Sequence, residues 1–132
     1  MGKDESRGMA EMLFTFFHGP IKDGVVAKIN RSVCRALLML WDTSQFEVVL
    51  HAEWKDTVED ALQTKWLIPY ASVVEDQVRE CADPANDITK LYVTKHFALA
   101  VMAMTMPTTR VLVAAHRAKV ELGRKGNEGE GL

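Results

Sequence analysis

The sequence predicts an α+β fold that is predominantly helical: a single compact domain with a few short strands and a C-terminal helix-turn-helix-like pair. Three observations carry that expectation. Apolar residues recur at three- and four-residue steps through most of the longer segments, the period of a helix with one buried side. Short runs rich in Val, Phe, Tyr and Leu lie between turn-forming residues, as strands do. The chain has 132 residues, 48% of them apolar and 26% charged, which is one domain's length with enough apolar content to bury a core.

Taken in order, residues 1–8 are polar and read as a disordered tail, so the globular domain spans 9–123. Met9–Phe17 is apolar on all sides and suits either a buried strand or a short helix; His18-Gly19-Pro20 is its expected break. Asp23 is placed to cap a helix from Val25 to Trp41 whose stripe is Val26, Ile29, Val33, Ala36, Leu37 and Leu40. Lys28, Arg31 and Arg35 share the other side of that helix, where they suit phosphates, an acidic partner or plain solvent.

Gln45–Trp54, with Phe46, Val48, Val49 and Leu50, reads as a strand. Thr57-Val58-Glu59-Asp60 reads as the capped start of a helix through Leu67, with Asp56, Glu59 and Asp60 at its positive end and Pro69 as its stop. A further helix from Ser72 to Cys81 buries Val73, Val74 and Val78 and ends in a turn over Asp83–Asp87.

Leu91–Thr94 is a strand, and Thr94 caps a helix through Met102. A break at Met104–Met106 comes next, and Pro107 opens the last helix, where its missing amide costs nothing. Gly123 is the expected stop, and residues 124–132 form a disordered Gly/Glu tail.

Catalytic chemistry is sparse. His51-Ala52-Glu53 matches the H-x-E half of a zinc deaminase, but the P-C-x-x-C half is missing. His18, His96 and His116 lack ligand spacing, and no phosphate-binding loop or nucleophile elbow is present. Met102, Met104 and Met106 suit core filling. The chain therefore reads as a non-enzyme with no cofactor, no metal and no small-molecule substrate. Cys34 and Cys81 form no C-x-x-C pair and read as reduced, buried thiols of a cytoplasmic protein. No apolar run reaches the roughly 18 residues of a membrane span, and the run Met12–Phe17 lies behind an acidic leader unlike a signal peptide.

The net charge of −2 hides an asymmetry. Asp42–Asp87 carries eleven acidic residues against Lys55, Lys65 and Arg79, a balance of −8. Ile88–Lys125 carries seven cations against Glu121, a balance of +6. Such a chain can fold its halves together, pair with a copy, or offer its basic half to an anion.

Ala98–Arg117 has the layout of a helix-turn-helix, with Met104 where the turn usually carries Gly. Winding the second helix at about 100° per residue separates Val111, Ala115, Ala118 and Leu122, the expected core stripe, from Thr109, Arg110, Val113, His116, Arg117 and Val120, the expected outward face. The outward face is basic and hydroxylated, as phosphates and base edges require. Tyr92, Thr94, Phe97, Met102, Thr105 and the helix from Thr108 resemble, in their order, the end of phage regulatory proteins of the Rha and antirepressor group. The resemblance covers about a quarter of the chain. It implies a regulator of lysogeny that binds DNA or a repressor and oligomerises.

The first expected function is thus a non-enzymatic regulator of antirepressor type, with Arg110, Arg117, Lys119 and Lys125 at phosphates and Thr108 and Thr109 nearer bases. The alternative is a small inhibitor or adaptor, acting against host defence or imitating nucleic acid. It would bind a host factor through its acidic middle section, represented by Glu59, Asp60, Glu75 and Asp76. A third is a structural homo-oligomer seated on Val113 and Val120. None of these involves a membrane.

Overall fold

The structure, a computed structural model, describes residues 3–43 and 52–130. Among these the order is α1 (Lys3–Asp23), β1 (Ala27–Asn30), α2 (Arg31–Asp42), α3 (Ala52–Leu62), α4 (Leu67–Ala82), β2 (Lys90–Val93), α5 (Lys95–Ala103) and α6 (Pro107–Glu130). The α+β, predominantly helical class holds: among the described residues there are six helices and one two-stranded antiparallel sheet.

Helix α5 is the centre. Every residue from Phe97 to Ala103 is buried, and α1, α3 and α4 pack around it. Its small residues, Ala98, Ala100 and Ala103, let neighbouring backbones approach closely, while Phe97, Val101 and Met102 fill the space between them.

Helix α1 starts at Lys3, where the polar composition suggests a disordered tail, and runs through Pro20 rather than breaking at His18-Gly19-Pro20. The cause is a stripe invisible in a segment that is apolar all round. Ala10, Leu13, Phe17, Pro20 and Ile21 have helical spacing, and all are buried. Burying them offsets the one amide donor that Pro20 lacks. Gly24, at φ +66°, then ends the helix, and its amide donates to Pro20 O at 3.1 Å. Asp23 is therefore the last residue of α1 and caps no later helix.

The helix expected from Val25 begins six residues later. Ala27–Asn30 pairs instead with β2, in the register Ala27–Val93, Lys28–Tyr92, Ile29–Leu91 and Asn30–Lys90. Asn30 is the true N-cap, its side chain accepting from Val33 N at 3.0 Å. Thr94 does the same for α5, accepting from Phe97 N at 3.2 Å as the sequence predicts. Strand β1 ends in the residue that caps α2, and β2 leads directly into the cap of α5.

Residues 45–51 of the expected Gln45–Trp54 strand lie outside the described residues, and so does His51; Ala52–Trp54 is helical. Thr57 lies in the middle of α3, not at its start, so Asp56, Glu59 and Asp60 are not at a positive helix end. The helix stops at Leu62, not Leu67, and Pro69 falls in the first turn of α4 rather than ending a helix. Val74 and Val78 are buried as expected, but Val73 is exposed.

Arg31 and Arg35 are not a free row. Arg31 donates to Cys81 O at 2.8 Å, Asn86 O at 2.6 Å and Ile88 O at 3.3 Å, and Arg35 donates to Ala82 O at 3.2 Å. They satisfy the orphan carbonyls at the end of α4 and hold the adjoining turn against α2. Among the described residues, no single helix is long and apolar enough to cross a membrane.

Candidate functional site

Helices α5 and α6 meet at a bend of 102°, with Pro107 opening α6 as expected. The turn needs no glycine. Met104 sits at φ −65°, ψ −12°, ordinary right-handed backbone, and its side chain is buried. Its amide donates to Ala100 O and that of Met106 to Ala103 O, both at 2.9 Å, which closes the turn.

The two faces of α6 are reversed from expectation. Thr109 is 0% exposed and Val113 2%, so the side read as outward is the anchored one. Val111 is 67% exposed and Leu122 71%, so the expected core stripe stands in water. The opposite wheel positions are equally regular, and the deciding contacts come from α4, where Ser72, Glu75 and Asp76 lie more than 40 residues from Arg117, which periodicity cannot see. Val113 is therefore no oligomer contact, whereas Val120, beyond the anchored half, remains exposed.

Charge explains the choice of face. Arg117 Nη2 lies 2.8 Å from Glu75 Oε1 and 2.9 Å from Asp76 Oδ1, and also donates to Ser72 O at 2.9 Å. Arg79 Nη2 lies 2.8 Å from Asp42 Oδ1 and 3.4 Å from Glu75 Oε2. Arg110 Nη2 reaches the same Asp42 oxygen at 3.7 Å. These guanidinium and carboxylate groups tie α2, α4 and α6 together. The hydrogen bond to Asp42, helped by Glu75, raises the pKa of Arg79. Desolvation pulls that of Arg117 down, but Asp76 and Glu75 together outweigh it, and the net shift is upward. The acidic and basic parts of the chain neutralise each other here.

Beside this network, the end of α2, the α5–α6 turn and the first half of α6 enclose a groove of about 510 Å³. Trp41, Met104 and Val113 form its apolar wall, Arg110 and Glu75 its polar rim, and Val111 and Ala114 its lip. The lip is continuous with the exposed row Val111, Ala115, Ala118 and Leu122. From Ala118 to Gly126 every residue is exposed, and α6 continues through Gly123 to Glu130 rather than giving way to a tail. With 24 residues at 1.5 Å each, it is roughly 36 Å long, and its stretch from Ala118 to Gly126 is exposed throughout.

The expected site residues therefore separate. Thr109 is buried, and Arg110 and Arg117 are held by the chain's own carboxylates. Thr108, Lys119 and Lys125 remain exposed on α6. On the acidic side, Glu75 and Asp76 are taken by Arg117, with Glu75 also shared by Arg79. Glu59 and Asp60 stand on α3 with no cation within 4 Å among the described residues. Asp42 and Trp41, central to the network and the groove, are not among the expected site residues. Asp42 is unfavourable beside the negative end of its own helix, which marks it as a residue with partners elsewhere. Among the described residues no group of His, Cys, Asp or Glu can hold a metal ion. Comparisons with protein-family models, with curated proteins and with solved structures gave no match.

Proposed function

We propose that the chain is a non-enzymatic, cytoplasmic regulatory protein that acts by binding another protein through α6. The observation that carries this is the exposure of Val111 and Leu122 on a helix fixed from behind by Thr109 and Val113. Such an apolar row with a 4-3-4 spacing seats a partner helix, and the groove at its foot offers a pocket for one anchoring side chain. Lys119 and Lys125 flank the row with no carboxylate within 4 Å among the described residues, so the partner helix is amphipathic and acidic at its edges. Of the two activities implied by the antirepressor resemblance, this favours contact with a repressor-like protein over DNA. Placing Arg110 and Arg117 on phosphates would first require breaking their ion pairs.

The test is fluorescence anisotropy with a synthetic amphipathic helix, Leu at its core heptad positions and Glu beside them, paired with light scattering of the protein alone. Micromolar binding by a monomer, weakened about tenfold or more (~1.4 kcal/mol or more) by Val111→Glu or Leu122→Glu, supports the reading. Absence of binding refutes it. A concentration-dependent dimer abolished by the same substitutions would give the row to a second copy instead.

A second reading retains one observation. Asp56, Glu59 and Asp60 stand on α3 with no cation paired to them among the described residues. An adaptor acting through the acidic section would use them rather than Glu75 and Asp76. Binding of a basic peptide that survives Glu59→Gln with Asp60→Asn would remove it.

A further inference from the structure

While α6 loses its strongest cations to internal pairs, another surface keeps its own. Residues 26–35 and 88–96 contain Lys28, Arg31, Arg35, Lys90 and Lys95 and no acidic residue at all. The fold joins these two stretches as β1 and β2 with their flanks. Cross-strand partners share a face, so the register points Ile29, Leu91, Ala27 and Val93 inward and Lys28, Tyr92, Asn30 and Lys90 outward. Burial agrees: Ile29 and Val93 are buried, whereas Tyr92 is 64% exposed. Lys28 Nζ lies 4.9 Å from the centre of the Tyr92 ring. Lys95 continues the charged face at the first residue of α5, whose positive N-terminal end adds to it. Arg31 and Arg35 donate to carbonyls at the negative end of α4 and in the adjoining turn, which offsets part of their charge and leaves Lys28, Lys90 and Lys95 as the freer cations. The nearest acids in sequence are Asp23, Asp83 and Asp87; among the described residues, no carboxylate lies within 4 Å of these cations.

We propose that this two-stranded ribbon is a nucleic-acid-binding surface, seated in the major groove of duplex DNA. A groove about 12 Å wide admits a two-stranded antiparallel ribbon. Four residues of strand span roughly 13 Å, enough to set Lys28 and Lys95 toward phosphates with Lys90 and Tyr92 over the groove floor. The Asn30 side chain already caps α2, so Lys90 and Tyr92 carry the contacts to base edges and sugars. This surface is separate from the outward row of α6 and does not depend on it.

The experiment is fluorescence anisotropy of the full chain with a labelled 20-base-pair duplex, the matching single strand, and a polyglutamate peptide, from low salt upward. Duplex binding is expected at about 50 mM salt, falling with a log–log salt slope near −2 for the phosphate contacts of Lys28 and Lys95. Lys28→Glu and Lys90→Glu should each weaken it about tenfold or more, with the fold verified by circular dichroism. Lys119→Ala with Lys125→Ala, and Val111→Glu, should leave it unchanged. No duplex binding at low salt overturns the proposal, as does equal affinity for polyglutamate or for the single strand. Sensitivity to Lys119 and Lys125 but not to Lys28 and Lys90 would overturn it too and return the DNA contact to α6.

Discussion

Arg117 on α6 places its Nη2 2.8 Å from Glu75 Oε1 on α4, and the same nitrogen meets Asp76 at 2.9 Å. This pairing turns the basic side of α6 inward and leaves the apolar side in water. The charge asymmetry of the sequence is thus resolved in part within one molecule. The apolar row of α6, the cationic ribbon and the short acidic edge of α3 stay at the surface.

Arg117→Ala should destabilise the fold by about 1 kcal/mol. The Arg117 side chain is 37% exposed, which screens the interaction, but Glu75 is only 14% exposed and would lose its principal partner. A double-mutant cycle with Glu75→Gln in urea should show favourable coupling between the two, reduced in about 1 M salt. Additive effects would show that the pair is energetically silent.

Arg31→Ala should cost more, about 2 kcal/mol, because carbonyls from Cys81, Asn86 and Ile88 converge on one guanidinium. Arg31→Lys should recover less than half of that, since an ammonium cannot reproduce the fork that reaches all of them. Hydrogen exchange at the amides around residues 83–89 should rise in both variants. Full rescue by lysine would mean that charge alone is needed.

Thr109→Val should stabilise the protein by about 0.5–1 kcal/mol. The Thr109 side chain is wholly buried, and its hydroxyl has no hydrogen-bond partner among the described residues. Valine keeps the shape and removes the orphan. Thermal unfolding should show a higher midpoint; a lower one would reveal a partner for the hydroxyl, such as a bound water.

Much of this architecture is legible in the sequence wherever a local rule dominates. The Thr94 cap, the Pro107 start, the turn over Asp83–Asp87 and the Val74–Val78 face are set by neighbours in the chain. The failures share one cause, contacts distant in sequence. Val26 and Ile29 fit a helical stripe until β2 pairs with their segment, and Pro20 reads as a stop until Phe17 and Ile21 are seen to be buried on either side of it. On α6 both faces carry valines, so the inner one is decided by burial of Thr109 and Val113 and by the pairing of Arg117 with Glu75 and Asp76, none of which the period of the helix reveals. The basic trio Lys28, Arg31 and Arg35 is visible as a candidate phosphate contact, but not its juxtaposition with Lys90 and Lys95, which only strand pairing creates.

The buried thiol of Cys34 makes stability depend on pH. Burial, and then its neighbour Cys81, push the pKa of Cys34 well above its ordinary value of 9.0. For a group raised in the folded state, the contribution to stability is fully present below the unfolded value and declines as pH rises past it. Stability attributable to this thiol should therefore be flat from neutral pH to about 9 and fall beyond it, because the unfolded chain releases a proton that the folded chain retains. Cys34→Ala will lower stability everywhere by opening a cavity between α2 and α4, so the informative quantity is the slope. The difference in unfolding free energy between wild type and variant should shrink steadily above about pH 9, as urea titrations at fixed ionic strength would show. Thiol reagents should likewise label Cys34 in the native protein only as fast as the molecule unfolds, since the reactive thiolate is suppressed and the sulfur is wholly covered. Rapid labelling of the native state at about pH 8 would mean that the α2–α4 contact opens locally, and would place the weak point of the fold there.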